Sequence, residues 1–295
     1  MNRYETIKYS IFLFFVNLFR NKENDYSSEN SFFILGSGRN GSTLLSTILN
    51  VHKSLFIPPE QFVLPYAIMK RYLFFFWSFD KWSNNVFSTF KKKNQTLNWD
   101  IRFEITLLKS KNIFSLFDSI IRKYAAHKDK EIMMWGDKTP LSTHFIPFIY
   151  PEFSNSKYIF LIRDPRDVVL SYKKLTKHKA ANTRYAIWKW RDSIKQLRFL
   201  QTKTDVLVVK YERLVNSTND EVNRVLEFLG FEKNDNLVNL KNNAESMGVE
   251  TQQYHQNLNK PITNKSVGKW KKELSKEDID LIEEKCGLLM KDFKY

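Results

Sequence analysis

The 295-residue chain has a single cysteine, Cys286, so no intramolecular disulfide can close, and a reducing compartment, the cytoplasm, is expected. Histidine is also scarce: five are scattered through the sequence, and with one cysteine they form no pair at ligand spacing, which argues against a zinc centre. Acidic residues are outnumbered, 32 Asp and Glu against 47 Lys and Arg, giving a formal net charge of +15. That excess favours an anionic ligand, nucleic acid or an acidic membrane surface, and charge alone does not choose among them. Long apolar runs are few. The strongest, Tyr9 to Phe19 between Lys8 and Arg20, falls well short of the roughly 20 residues a spanning helix needs, and no small-residue cleavage site follows it. A helix packed on the domain is the first reading of this run, a helix at a membrane surface the second and a targeting segment the third. The expected localisation is therefore cytoplasmic, with membrane association through residues 9–19 as the variant.

With 42% hydrophobic residues the chain can bury a substantial core. Ser31 to Leu35 is a short apolar run ending at Gly36, and Thr43 to Val51 places Leu44, Leu45, Ile48 and Leu49 on one helical face. Ile132 to Met134, Tyr158 to Ile162 and Val206 to Val209 read as further buried strands, each followed by helical periodicity. Strands alternating with helices predict an α/β fold, a three-layer sandwich around a central parallel sheet. Ser217 is expected to cap a helix that stops at Gly230. The expected organisation is an apolar helix and polar linker over residues 1–30, then one domain over 31–295. That domain contains an aromatic-rich helical insertion, 61–130, which includes Tyr72 to Phe79. These aromatics serve either core packing or an acceptor-facing or membrane-facing lid.

Gly36 to Thr43 (GSGRNGST) has the G-x-x-x-x-G spacing of a phosphate-cradling loop between strand and helix. Glycine allows the tight turn, and the N–H groups of Gly41 to Thr43 would face an anion at the positive end of the helix. A nucleotide-triphosphate loop would have lysine after Gly41. Here that position is Ser42 and the nearby cation is Arg39, suited to gripping oxygens with a planar guanidinium. A second anion site follows the strand at Tyr158 to Ile162, with Arg163 at its carboxyl end and Ser171 about two helical turns on.

Together these two segments resemble the sulfotransferases that use 3'-phosphoadenosine 5'-phosphosulfate (PAPS), and the resemblance runs from Ser31 to Trp270. It implies a P-loop-like fold with PAPS as co-substrate and no metal. Gly38, Arg39, Asn40, Gly41, Ser42 and Thr43 would hold the 5'-phosphosulfate, and Arg163 and Ser171 the 3'-phosphate. Arg39 to His52 followed by Pro58-Pro59-Glu60 is similar to the protein-tyrosine sulfotransferases, which implies Glu60 as catalytic base. Trp135 to Pro140 resembles their segment bearing the catalytic lysine, here Lys138. Tyr211-Glu-Arg-Leu and Lys260-Pro261 through Lys269-Trp270 resemble their later cofactor segments, adding Tyr211 and Lys269. A further basic residue of the 3'-phosphate site falls on Leu175, so Lys173 or Lys174 would stand in for it.

On this reading Glu60 takes the acceptor's hydroxyl proton while Lys138 and Arg39 offset charge on the oxygens of the transferring group. His144 is the alternative base. The expected partner is a hydroxyl-bearing acceptor (tyrosyl, glycan, lipid or small alcohol) and not nucleic acid. Two rivals remain: a nucleotide kinase or NTPase, and a basic peripheral membrane or nucleic-acid-binding protein with an inactive loop.

Overall fold

The computed structural model describes residues 30–92, 111–175, 181–238 and 262–295. Residues 9–19, most of the 1–30 segment, residues 93–110 of the insertion and Lys260-Pro261 lie outside them.

Five parallel strands form one sheet in the order β2-β3-β1-β4-β5. They are β1 (Ser31–Gly36), β2 (Leu55–Phe56), β3 (Met134–Asp137), β4 (Lys157–Ile162) and β5 (Val206–Lys210). Central strands of a parallel sheet are covered on both faces, so their sequences read as unbroken apolar runs. In β1, Phe32, Phe33, Ile34 and Leu35 are all buried, and successive residues serve opposite faces. Phe33 and Leu35 join Trp135, Tyr158 and Phe160 in one apolar cluster. Phe32 and Ile34 join Leu55, Ile159 and Leu161 in the other. The ring of Phe32 lies on Gly136, its partner in β3, where a Cβ would stand 2.5 Å from the ring.

The second cluster is closed by α1 (Ser42–Leu49) and α10 (Thr218–Leu229) through Leu45, Ile48, Leu49, Val222, Val225 and Leu226. The first cluster is closed by the long helix α8 (Thr183–Gln201), by the last helix α12 (Lys276–Asp292) and by the insertion. The insertion contributes α2 (Leu64–Leu73), α3 (Phe79–Lys92) and α4 (Ile113–Ala126). In α4, Ile113, Leu116, Phe117, Ile120, Ile121 and Tyr124 are buried at helical spacing, and the Asn112 side chain caps the start by accepting from Ser115 N–H at 2.7 Å. The aromatic run of residues 72–79 divides. Phe79 packs in the core beside Trp82, whereas Leu73, Phe75 and Phe76 are exposed.

One expected element moved. The run at Ile132–Met134 predicts a strand, but β3 begins at Met134 and ends on Asp137; Met133 is exposed. Helix α10 stops at Gly230 in the left-handed conformation as expected, and Ser217 precedes it without a side-chain capping bond.

The expected localisation is corrected. Among the described residues no helix is long and apolar enough to cross a membrane. The two longest, α8 and α12, are studded with charges, each of which would be costly in hydrocarbon. Residues 9–19, which carried the membrane-association variant, lie outside the described residues.

Candidate active site

Lys138, the glycine loop and Arg163 follow the carboxyl ends of the neighbouring strands β3, β1 and β4, where ligands bind in open α/β sheets, with Glu60 after β2 and Tyr211 after β5. The loop after β1 is shaped by four positive-φ demands within six residues: Gly36 at 142°, Gly38 at 77°, Arg39 at 55° and Gly41 at 90°. Gly41 and Gly38 are also required by contact. A Cβ on Gly41 would stand 2.4 Å from the Tyr211 ring, and one on Gly38 would stand 2.3 Å from the Tyr172 hydroxyl. Asn40 anchors the loop by donating from Nδ2 to the Leu161 carbonyl in β4 at 2.8 Å, and its Oδ1 is buried without a partner. Leu45 N–H makes an i→i−4 bond to the Gly41 carbonyl at 3.0 Å, which leaves the N–H groups of Ser42 and Thr43 ahead of it at the start of α1.

Arg39 and Ser171, read from sequence as parts of separate anion sites, are in direct contact: Arg39 Nε donates to Ser171 Oγ at 3.0 Å. Ser171 lies on α7 (Pro165–Lys173), which Asp164 caps by accepting from Arg166 N–H at 2.8 Å. Arg163 reaches the same loop from the end of β4, donating from Nη1 to the Arg39 carbonyl at 3.0 Å and from Nη2 to the Ser266 carbonyl at 2.7 Å. Its Nε is buried and unpartnered, and its guanidinium lies 4.3 Å from the Tyr211 ring centroid. Tyr211 opens the short helix α9 (Tyr211–Asn216), and its hydroxyl meets Ser266 Oγ at 2.5 Å. The late segment carrying Ser266 and Lys269 is fastened by Asp167, whose carboxylate accepts from the N–H groups of Gly268 at 2.7 Å and Trp270 at 3.1 Å. Lys269 itself is half-exposed and stands 4.0 Å from Glu273 in the one-turn helix α11 (Trp270–Glu273). Neither lysine proposed to replace the missing basic residue is uncommitted: Lys173 pairs with Asp278, and Lys174 pairs with Glu273 at 2.7 Å.

On the β3 side, Lys138 Nζ stands 2.7 Å from Glu60 Oε1. The lysine side chain is 6% exposed and the carboxylate 27%, so Glu60 is the partner open to an incoming molecule. Sequence reasoning missed how this pair is held. Asp137, wholly buried at the end of β3, accepts from Gln61 Nε2 at 3.0 Å, Thr139 Oγ1 at 2.8 Å and Ser142 Oγ at 2.7 Å. Gln61 thereby ties the residue after Glu60 to the residue before Lys138. Burial raises the Asp137 pKa, the three hydrogen bonds oppose the rise, and the Glu60 charge adds to it. Thr143, on α5 (Pro140–His144), locks this segment to β1 by accepting from Gly36 N–H at 2.9 Å and donating to the Gly36 carbonyl at 3.0 Å. His144 has Asp192 as its partner, with Nδ1 and Oδ2 2.6 Å apart, and stacks on Trp188.

Lys189 on α8 was also missed. Its Nζ lies 5.2 Å from the centroid of the Tyr172 ring, whose hydroxyl donates to the Ser37 carbonyl at 2.8 Å. The next residue, Trp190, donates from its indole to the Arg163 carbonyl at 3.0 Å.

Chemically, these residues offer backbone N–H groups, two guanidiniums and a carboxylate–ammonium pair, an arrangement suited to an anionic substrate and a proton acceptor. The profile of the sulfotransferase family matches residues 31–235. A protein-tyrosine sulfotransferase homologue of Caenorhabditis briggsae is 23% identical over 228 residues, covering 75% of this chain and 72% of that protein. Among solved structures, the sulfotransferase domain of the Synechococcus PCC 7002 olefin synthase superposes with a TM-score of 0.61 at 22% identity, covering 90% of this chain and 98% of that one. Mouse sulfotransferase SULT7A1 complexed with PAP superposes with a TM-score of 0.50 at 14% identity, covering 89% and 85%. The loop, the sheet order and the family profile lead to one conclusion: the chain belongs to the sulfotransferase family.

Proposed function

We propose that the chain transfers a sulfuryl group from PAPS to a hydroxyl of an acceptor. The observation that most supports this is the convergence on Arg39: its side chain engages Ser171 while its carbonyl engages Arg163, so the two anion-binding segments meet at one residue. The site suits a bis-phosphorylated nucleotide in one further respect. Gly38 and Gly41 let the loop turn closely against Tyr172 and Tyr211, and Arg163 beside it keeps a buried Nε donor without a partner. PAP is the nucleotide in the related mouse structure.

When bound, PAPS supplies the sulfuryl group and departs as PAP. Backbone N–H groups at the start of α1, with Ser42 and Thr43, hold the 5' end; Arg163 and Ser171 hold the 3'-phosphate, and Tyr211 packs over the loop. Lys269 contributes from the late segment through its positive charge. Arg39 and Lys138 offset negative charge on the transferring group and on the leaving oxygen. Glu60 accepts the hydroxyl proton, and its contact with Lys138 aligns it for that transfer. Charge is supplied here by side chains, and positioning does most of the remaining work, as in phosphoryl transfer.

Calorimetry with PAP and with ATP, each with and without Mg²⁺, tests the donor. Tight, metal-independent PAP binding is expected. ATP binding that requires Mg²⁺, with no affinity for PAP, would replace this reading with that of a nucleotide kinase. A screen of tyrosyl, glycan, lipid and small-alcohol acceptors with labelled PAPS then identifies the class that receives the group.

A further inference from the structure

The Lys189 side chain is partly buried, and among the described residues no hydrogen bond or ion pair engages its ammonium; what it meets is the face of Tyr172. Tyr172 is itself part of the phosphate loop's support, with its hydroxyl on the Ser37 carbonyl and against Gly38. One residue along α8, Trp190 holds the Arg163 carbonyl. Lys189 therefore lies beside the support of the phosphate loop, on a helix that also holds the carbonyl of Arg163. The group whose charge reaches it is Glu60. An ammonium partly withdrawn from water with no protein anion in contact with it gains stabilisation when an anion arrives.

We propose that Lys189 is a second lysine of the transfer site, a catalytic residue whose ammonium meets the peripheral oxygens of the sulfuryl group during transfer. This rests on the PAPS reading above and extends it. In the step, the S–O bond to the donor's phosphate breaks as a new S–O bond forms to the acceptor oxygen. The hydroxyl proton passes to Glu60, PAP leaves with the bond's electron pair, and Lys189 keeps its proton throughout. Burial pushes the Lys189 ammonium down to about 8, and the Glu60 carboxylate opposes that shift. The other titratable group against this position is Tyr172, on which the charges of Arg39, Glu60 and Tyr185 act. Because the protonated form is the active one, activity is present below this value and declines as pH rises through it.

The test measures PAP released from PAPS with water as acceptor, for the wild type, Lys189→Gln and Lys189→Arg, between about pH 6 and 10. Lys189→Gln should lower kcat about 100-fold while leaving PAP affinity and the melting temperature close to wild type. Lys189→Arg should restore much of the rate and carry it to higher pH. Wild-type kcat with an unchanged basic limb in Lys189→Gln would overturn the proposal, as would parallel loss of PAP affinity and stability, which marks a structural lysine. A second measurement does not need turnover: acetylation of the Lys189 amine, followed by mass spectrometry, should be slowed by inorganic sulfate with PAP present. No protection by sulfate, with or without PAP, overturns the proposal. If the wild type fails to bind PAP, the donor reading falls by itself, and Lys189 is still judged by its protection with sulfate alone.

Discussion

Lys138 Nζ and Glu60 Oε1 are 2.7 Å apart across 78 positions of sequence, and Asp137 and Gln61, the neighbours of the two partners, are bonded to each other alongside them. The contact is thus built twice, once between the functional groups and once between their supports. Removing the charge of Glu60 should leave the supports in place.

Glu60→Gln is accordingly expected to bind PAP nearly as tightly as wild type and to lose transfer by about 10²- to 10⁴-fold, the range for losing a general base. Calorimetry and turnover of labelled PAPS read the two effects separately. Full activity in this variant would eliminate Glu60 as the base.

Gly41→Ala should be damaging for two separable reasons. The residue must hold φ at 90°, which costs a non-glycine residue about 1–2 kcal/mol, and its Cβ must displace the Tyr211 ring, 2.4 Å away. A lowered melting temperature with PAP affinity reduced at least about 10-fold is expected; unchanged affinity would mean that Tyr211 does not need to lie on the loop.

Asp137 makes a prediction about pH. Burial raises its folded pKa above the ordinary 3.8, so the folded state binds the proton more tightly than the unfolded state. The stability this group contributes is full below that ordinary value and is lost as pH rises through the raised one. Asp137→Asn, which has no such proton to lose, should show a flatter dependence. Urea midpoints of both proteins between about pH 4 and 7 test this, and parallel curves would show that Asp137 does not titrate in that range.

Cys286 is buried in the core formed by α8 and α12, and burial pushes its thiol up to about 12. A disulfide reagent at neutral pH should therefore leave the native protein unlabelled and modify one thiol per chain in denaturant. Rapid labelling of the native protein would mean that α12 opens from the core.

Much of the fold was legible because burial on both faces leaves an uninterrupted apolar signature. Ser31–Leu35, Tyr158–Ile162 and Val206–Val209 each coincide with a strand of the sheet. β3 was displaced because its last residue is the charged Asp137, where an apolar run cannot be followed. β2 has two residues and ends before Pro58-Pro59, too short for any periodicity to mark it. Loop residues could be read from spacing alone, since glycine and a following helix start are local properties. The contact between Arg39 and Ser171 could not. It depends on β1 lying beside β4, a property of strand order. Lys189 was hidden for another reason. It is one of several cations on α8, with Arg184, Arg191, Lys195 and Arg198, and only packing distinguishes it from a solvated helix face.

The anchoring of Asn40 on the Leu161 carbonyl bears on how the protein is made. Synthesis proceeds from the amino terminus, and the loop of Gly36 to Thr43 leaves the ribosome before the groups that fix it. Its fixed points arrive much later: Leu161 is 121 positions downstream of Asn40, and Ser171 is 132 positions downstream of Arg39. Arg163 in turn waits for Ser266. A nascent chain halted before β4 holds the entire loop sequence without the groups that shape it, so the loop takes its form only after Leu161, Ser171 and Ser266 have been made.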